Sequence, residues 1–519
     1  MLDMKNLKQL FKPLAILFAS SMLFYACSEK LEENDGQLSA DDLDYTNMND
    51  MILPLLGAYS RTYKINDQTD AGWENPMLMG VRGDDVNSGG QGDQPLFAAT
   101  DMFEYDNGFW MFNQVWNNYY GILADMVNTK ETLLRFKEFA TGDDIARADQ
   151  YIAEAQFLSA YQHFNMSRMW GDIYIIQTTD FDLEIDNGLD TKEAVMQYIS
   201  DLMDESIPNL PDMRPNERTD IPGGITKYTA LALKAMAQLE LENYQEVANA
   251  TGEIINNGGF SLYPEFYELF KKPGERSNEN LFELQFSDFD SDTGGTFYHN
   301  YNPFGPTSWT PAVSGASSGW GFYEPSLKWM KFMLDRGEED RLVTSVLFTP
   351  DGIAELESDP AYANLPSYIS NTTLDGDVIN NSVRANFFSG KHYLPSNQLT
   401  EGRNAYGGGK NFIVMRYAEV LLMYAEALTR GASGNGMTAD QAVNIVRSRA
   451  GLSPLSGVTS DQVMDEKFAE LAMEWGIRYF DMIRLNEYDE LSYDGRTFTA
   501  GKELLPYPQA QLDLLPFEY

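Results

Sequence analysis

Two stretches of the chain combine large aromatic rings with the polar side chains that bind sugars. Sugar rings lay their C–H faces on Trp, Tyr or Phe, and their hydroxyls hydrogen-bond to Asp, Asn, Gln, Glu or Arg. Residues 72–87 (GWENPMLMGVRGDDVN) and 297–323 (FYHNYNPFGPTSWTPAVSGASSGWGFY) both contain this mixture. They predict a carbohydrate-binding site, and the candidate ligand-binding residues are Trp73, Arg82, Asp84, Asp85, Asn87, Tyr298, Tyr301, Trp309, Trp320 and Tyr323.

Trp320 is the best single candidate among these residues. Gly319 and Gly321 flank it, and no helical or strand periodicity surrounds it. The alternative for each ring is burial in a small core beneath a long loop, which for any one ring is the better prediction. Asp84 and Asp85 have alternatives as well, since they could cap a helix or bind calcium.

The residues needed for catalysis are mostly missing. The only cysteine is Cys27, and His163, His299 and His392 lie far apart without metal-ligand spacing. We expect His163 to pack within a helix. The chain has no G-x-S-x-G elbow and no Gly-rich phosphate loop, and its 78 carboxylates are too many to be diagnostic. The sequence therefore predicts a binding protein that is not an enzyme and has no cofactor, with a structural calcium left open.

The N-terminus predicts export and lipid attachment. Three lysines precede an apolar run at residues 13–25, which is too short to span a bilayer, and Ala26 and Cys27 follow. We interpret 1–26 as a signal peptide and Cys27 as the lipidated first residue of the mature chain. Residues 27–45 are acidic and predict a flexible tether. The alternative is a buried free thiol beside an ordinary cleavage site.

The charge of the chain limits its partners. The formal net charge is −41, so nucleic acid and anionic lipid headgroups are repelled and a neutral ligand is favoured. Hydrophobic residues make up 43% of the chain, enough to fill a large core. No linker separates independent domains, so residues 46–519 are predicted to form one domain.

The two stretches predicted to bind sugar, 72–87 and 297–323, must be positioned by the long segments of the chain that have helical periodicity. The pattern predicts helices, several of them in hairpins that resemble tetratricopeptide units, at 112–139, 144–170, 190–210, 226–241, 244–256, 415–429, 439–450 and as a pair within 460–486. Residues 61–111, 286–325 and 345–410 lack this pattern and predict loops on the helical scaffold.

Five ordered blocks resemble the SusD/RagB-like outer-membrane lipoproteins of Bacteroidetes. The blocks are 151–175, 226–241, 259–270 with 277–286, 414–428 with 443–451, and 465–484, and the most specific contains VMRYAEVLLMYAEAL. Their charged residues are interpreted as structural, holding helices together. Helix capping and inter-helix ion pairs are expected for Arg416, Glu419, Glu426, Arg447 and Arg449. Charge pairs along one helix face, contributing tenths of a kcal/mol each, are expected for Glu474, Arg478, Asp481 and Arg484.

The resemblance implies a mainly α SusD-like fold with family halves at about 46–290 and 291–519. It also implies a lipid-anchored protein on the outside of the outer membrane. Such a protein captures an oligosaccharide and delivers it to a SusC-like TonB-dependent barrel. The alternatives are peptide capture, as in RagB-like members, a tetratricopeptide adaptor that binds only proteins, and a hydrolase.

Overall fold

Helices dominate the fold. The computed structural model describes residues 43–64, 74–286, 301–399 and 408–515, without the side chains of residues 64, 301 and 302. The described residues from Met51 onwards form one compact unit. The α-helices of the described residues are α1 Ile52–Lys64, α2 Glu74–Gly80, α3 Pro95–Asp101, α4 Trp110–Phe139, α5 Asp143–Trp170, α6 Phe181–Asp186, α7 Lys192–Ser206, α8 Lys227–Glu240, α9 Tyr244–Asn257, α10 Phe266–Leu269, α11 Tyr301–Phe304, α12 Leu327–Asp335, α13 Asp340–Ser345, α14 Pro350–Glu357, α15 Tyr417–Thr429, α16 Ala439–Arg449, α17 Ser460–Leu471, α18 Ile477–Leu485 and α19 Gln509–Leu512.

The long helices follow the predicted segments closely. Helix α4 packs on α5, α5 on α7, α7 on α8 and α8 on α9, and α9 then packs on α15 near the C-terminus. The predicted mainly α scaffold and its helix pairs are confirmed, whereas the tetratricopeptide character of the pairs stays a prediction. No helix in the described part of the chain is both long and apolar enough to cross a bilayer.

Sequence signals at the helix ends explain several boundaries. Thr438 and Thr459 each cap a helix, and each forms a capping box with a glutamine three residues later. Gly476 is the N-cap residue directly before α18 and has a φ of 71°, and a Cβ at this position would lie 2.2 Å from the carbonyl oxygen of Met79. Only glycine allows this close approach between α2 and α18.

Four two-stranded antiparallel sheets join distant parts of the described chain, and the periodicity did not predict them. The pairs are β1 Val86–Gly89 with β4 Phe322–Pro325, β2 Asn280–Leu284 with β8 Phe412–Arg416, β3 Trp309–Thr310 with β6 Val378–Ile379, and β5 Val346–Phe348 with β7 Phe387–Ser389. The pair β2–β8 is buried along its whole length. Helix α15 therefore begins two residues later than predicted, because residues 415–416 belong to β8.

The charged residues of the family-like blocks form much of a buried charge cluster. We define this cluster as Glu279, Arg341, Arg416, Arg449, Glu466, Glu470 and Glu474, all of them buried or nearly so. The guanidinium of Arg416 bonds to Glu279 at 3.0 Å and to Glu474 at 2.7 and 2.8 Å, and it also pairs with Glu470.

The structural interpretation of these charges is confirmed. The energy of tenths of a kcal/mol, predicted for pairs along the 474–484 face, is too small for a buried pair such as Asp481–Arg484, and it does not apply to the cluster. That energy applies to pairs in water, whereas this cluster is out of contact with water, where breaking one pair costs about 3–5 kcal/mol. Burial alone would raise the pKa of Glu470. The guanidiniums of Arg449 and Arg416 instead hold the pKa of this carboxyl well below its usual range.

Candidate functional site

The pairing of β1 with β4 brings together the C-terminal ends of the two stretches predicted to bind sugar, 72–87 and 297–323. In β1–β4, Asn87 lies opposite Glu324 and Gly89 opposite Phe322. The N–H of Gly90 then donates to the carbonyl of Gly321 at 3.0 Å. Gly89 has a φ of 69°, and a Cβ there would lie 2.6 Å from that carbonyl oxygen, so glycine permits the crossing. The short segment after β1 therefore lies beside Trp320.

A cleft of about 610 Å³ opens next to this crossing. Its size is typical of sites that bind small molecules. The half-buried ring of Trp320 forms one wall, and the cleft is lined by Asp93, Gln94, Thr307, Gly319, Trp320, Phe322 and Arg384. We call this the Trp320 cleft.

The backbone on both sides of Trp320 is fixed. Gly319 donates its N–H to Pro306 at 2.8 Å, and Gly321 donates to Gly305 at 3.1 Å. A Cβ at position 319 would lie 2.6 Å from the backbone of Gly305. Two glycines thus let residues 305–306 approach closely, and the indole is held on a rigid segment.

Arg384 ties three segments together at the cleft. Its Nε donates to the carbonyl oxygen of Trp320 at 2.6 Å, and its Nη1 lies 2.9 Å from a carboxylate oxygen of Asp93. The guanidinium also lies 5.1 Å from the centre of the Phe322 ring. Arg384 and Asp93 neutralise each other, so the cleft carries no net charge from this pair.

This arrangement can bind a ring that carries many hydroxyl groups. The indole offers a flat apolar face, and the side chains of Asp93, Gln94, Thr307 and Arg384 offer donors and acceptors around it. A large aromatic ring gives much contact area for little loss of conformational freedom.

Several predicted residues lie outside the part that the structure describes. These are Cys27, Trp73 and Tyr298, together with the predicted signal peptide and most of the predicted tether. Tyr301 begins the short helix α11, but its side chain is not among those described. Their predicted roles stay predictions.

Arg82, Asp84 and Asp85 lie inside the fold, so their prediction as ligand contacts is corrected. Asp84 pairs with Arg478 at 2.7 Å and with Lys328 at 2.9 Å. Asp85 accepts from the N–H of Met473 at 2.5 Å, and burial raises its pKa to about 6. These three side chains join residues 82–85 to the C-terminal helices instead of facing a ligand.

Arg82 has the same structural role. It stacks over the ring of Tyr479 with 4.2 Å from the guanidinium carbon to the ring centre, and it donates to the Tyr479 hydroxyl at 3.1 Å. The sequence showed a short polar run in a glycine-rich segment. Nothing in this local sequence indicated that Arg82, Asp84 and Asp85 bind other groups of the protein instead of a ligand or water.

Two aromatic candidates fill small cores, as the alternative for single rings predicted. Trp309 is 9% exposed, and its indole N–H donates to Ser317 at 3.3 Å. Tyr323 is 1% exposed and stacks on Phe304 with 4.7 Å between ring centres. The prediction that these two rings contact a ligand is therefore corrected.

Asn87 lies in β1 and is half-buried. Its side-chain oxygen accepts from Arg496 at 2.6 Å and from the hydroxyl of Tyr493 at 3.2 Å. This oxygen therefore joins β1 to the C-terminal segment.

The prediction missed most of the residues that line the Trp320 cleft. Asp93 and Gln94 lie six and seven residues beyond the end of the first stretch, in GQGDQ, a polar glycine-rich signal that could have extended it. Arg384 lies in the third irregular region, 345–410, which was predicted as loop without candidate residues. No local signal links it to Trp320.

Two titratable groups with strongly shifted pKa values, Lys391 and His392, do not line the Trp320 cleft. Burial lowers the pKa of Lys391 to about 8 and that of His392 to about 3. The cavity beside them holds only about 30 Å³, which leaves no room for a substrate. His163 is buried in α5 as predicted, and its Nε2 accepts from the N–H of Ile176. Among the described residues, no group of His, Cys, Asp and Glu could hold a metal ion.

Comparisons with known proteins agree with the fold and with the resemblance of the sequence blocks. A model of the SusD family matches residues 278–504. A SusD-like protein of Formosa agariphila is 26% identical over 521 residues, which cover 94% of each chain. A SusD-like protein of Bacteroides ovatus is 23% identical over 501 residues, which cover 92% of this chain and 82% of that one.

Solved structures share the fold. A laminarin-binding SusD-like protein has a TM-score of 0.71 at 22% identity, covering 89% of this chain and 97% of its own. Surface glycan-binding protein A from Bacteroides thetaiotaomicron, solved with laminarihexaose, has a TM-score of 0.70 at 22% identity, covering 90% of this chain and 97% of its own. The family model, the relatives and the solved structures together support a SusD/RagB-like family for this chain.

Proposed function

We propose that this chain is a surface protein that binds a neutral oligosaccharide in the Trp320 cleft and does not alter it chemically. The observation that carries the proposal is the half-buried indole on a rigid segment, surrounded by the polar side chains of Asp93, Gln94 and Arg384. The internal pairing of Arg384 with Asp93 supports a neutral ligand, because the cleft has no cation left over to attract a carboxylate or sulfate.

Laminarin-type oligosaccharides are the first ligands to test, since two structural relatives are described as binding laminarin or laminarihexaose. Isothermal titration of the mature chain with laminarihexaose and other neutral glycans measures the affinity. We expect Trp320→Ala to weaken binding by tenfold or more, because stacking on one aromatic ring contributes about 1–3 kcal/mol in comparable ring–ring contacts.

Trp110→Ala is the matched control. Trp110 is 52% exposed on α4 and does not line the Trp320 cleft. Its replacement removes an indole from the surface without touching the cleft, so affinity should stay unchanged. Equal loss in both variants, or heat only from a peptide digest, would refute glycan binding at Trp320. Reducing ends released over time would favour a hydrolase.

The proposal extends to anchoring and delivery. Lipid on Cys27 would hold the protein at the outer face of the outer membrane, and a SusC-like TonB-dependent barrel would receive the oligosaccharide. Both steps are supported by the similarity to the SusD/RagB-like family and by the signal layout before Cys27. Cys27→Ser should abolish labelling by radioactive palmitate and release the protein from membranes. Copurification of the wild type with a barrel tests delivery, and binding of a barrel without any glycan would favour the adaptor alternative.

A further inference from the structure

A second cleft lies on the same compact unit and shares no residue with the Trp320 cleft. It has a volume of about 530 Å³ and opens between the residues before α4, the C-terminal end of α5 and the segment 501–507. Its lining includes Tyr105, Asp106, Asn107, Trp170, Asp172 and Tyr507. We call it the Trp170 cleft.

Hydrogen-bond acceptors without partners line the rim of the Trp170 cleft. Asp106 and Asp172 are exposed, and each uses one carboxylate oxygen to accept a backbone N–H, at 2.8 and 2.9 Å. The other oxygen of each has no partner among the described residues. Asn107 donates its side-chain N–H to Gln509 at 2.9 Å. The side-chain oxygen of Asn107 likewise has no partner among the described residues.

The one cation that lines the Trp170 cleft is already engaged. The ammonium of Lys502 donates to the carbonyl of Tyr105 at 2.5 Å and lies 4.3 Å from the centre of the Tyr105 ring. Within the described chain it forms no ion pair with Asp106 or Asp172. Two carboxylates thus face this cleft without a neighbouring cation, which favours a ligand that carries positive charge.

A buried donor in the wall of the Trp170 cleft provides an independent observation. Trp170 is 2% exposed, and its indole N–H has no hydrogen-bond partner among the described residues. The ring itself is fixed, because it packs edge-on against Trp116 with 5.3 Å between ring centres. A buried donor without an acceptor is costly, so an acceptor atom on a ligand would be favoured here.

We propose that the Trp170 cleft binds a basic side chain carried by a peptide. The guanidinium or ammonium would pair with Asp106 and Asp172. Its aliphatic stem would lie against the apolar wall formed by Leu504, Pro506 and Tyr507. A backbone carbonyl of the peptide would accept from the indole N–H of Trp170. The site is independent of glycan binding at Trp320.

The test uses the mature chain and three probes. The first is acetyl-Gly-Arg-Gly-amide, the second is the same peptide with neutral citrulline in place of arginine, and the third is n-butylguanidine, a monocation that has the guanidinium but no carbonyl. We expect the arginine peptide to bind and to bind more weakly as salt increases. The citrulline peptide should not bind measurably. n-Butylguanidine should bind about fivefold more weakly than the arginine peptide, since it has the same charge but lacks one hydrogen bond.

Isosteric variants locate the site. Asp106→Asn and Asp172→Asn keep the oxygen that accepts the backbone N–H, so the fold should be retained. Each should weaken the arginine peptide by about fivefold, the upper value for an exposed ion pair. Asp201→Asn removes the same charge from an exposed carboxylate outside this cleft, so the affinity should stay unchanged. The resonance of the Trp170 indole N–H should shift when the peptide binds.

Distinct results would overturn the inference. Equal binding of the arginine and citrulline peptides would exclude recognition of charge. Unchanged affinity in the Asp106→Asn, Asp172→Asn double variant would exclude this cleft. n-Butylguanidine that binds as tightly as the peptide would exclude the contact with Trp170. Trp320→Ala should leave peptide affinity intact, so failure of either proposal can be recognised separately.

Discussion

Arg416 is the central cation of the buried charge cluster, and its replacement by methionine tests how that cluster stabilises the fold. Its guanidinium bonds to three carboxylates, those of Glu279, Glu470 and Glu474, and 1% of its side chain is exposed. Arg416→Met keeps an aliphatic chain of similar length but leaves these carboxylates short of a cation. Such a loss costs about 3–5 kcal/mol when the pair is buried, a large share of the 5–15 kcal/mol that stabilises a typical domain.

The expected loss depends on pH. Burial alone would raise the pKa of Glu474, but Arg416 and Lys391 hold it below its usual range. A carboxyl with a lowered pKa stabilises the fold above its unfolded pKa, and this contribution is lost as the pH falls. The difference between wild type and Arg416→Met should therefore be largest near pH 7 and shrink below about pH 4.5, the ordinary range for Glu.

Urea unfolding, followed by tryptophan fluorescence at pH 7.5 and pH 3.5, measures the free energy of unfolding in each case. Arg147→Met is the control, because Arg147 pairs with Asp144 at 2.6 Å on the exposed surface of α5, where a pair contributes at most about 1 kcal/mol. Arg416→Lys keeps the charge without the planar fork and should give an intermediate loss. A loss below about 1 kcal/mol in Arg416→Met, or a loss equal to that of Arg147→Met, would refute the reasoning.

Three further predictions concern the Trp320 cleft and its surroundings. Arg384→Gln should weaken oligosaccharide binding about tenfold in titration calorimetry, with little change in unfolding, because the carbonyl of Trp320 loses a charged donor that fixes the indole. Burial raises the pKa of Glu324 to about 7, so its contribution to stability falls as the pH rises from about 4.5 to 7. Glu324→Gln should therefore unfold at higher urea than wild type at pH 8 and at similar urea at pH 4. The hydroxyl of Tyr323 has no partner among the described residues, so Tyr323→Phe should raise the melting temperature by a few degrees and leave glycan affinity unchanged.

The helical scaffold could be predicted because helix formation leaves a local signal. Apolar residues recur along one face of α4 and α5, and the ends of α16 and α17 carry capping boxes within a few residues. These patterns depend on neighbours three to four residues apart, so the sequence reveals them directly. The mainly α fold followed from this periodicity and from the family-like blocks.

The site could be predicted only in part because its contacts are long-range. Trp320 was found from its glycine neighbours and the absence of periodicity, and it lines the cleft. Asp84 has the same local composition as a ligand-binding aspartate, yet its partner Arg478 lies 394 residues away. Arg384 reaches Asp93 across 291 residues. Composition shows which groups a polar side chain can bind but does not show which of them the fold supplies.

The buried pairing of β2 with β8 has a consequence for how this chain is made. Arg416, which pairs with Glu279, lies 137 residues further along the chain. At bacterial synthesis rates, Arg416 is made about ten seconds after Glu279. During that time the N-terminal part of the nascent chain exposes the unpaired edge of β2 and the carboxylate of Glu279, both of which are buried in the folded protein. Cutting the gene near codon 290 should therefore yield two insoluble fragments, and coexpression of both should be required to recover soluble protein.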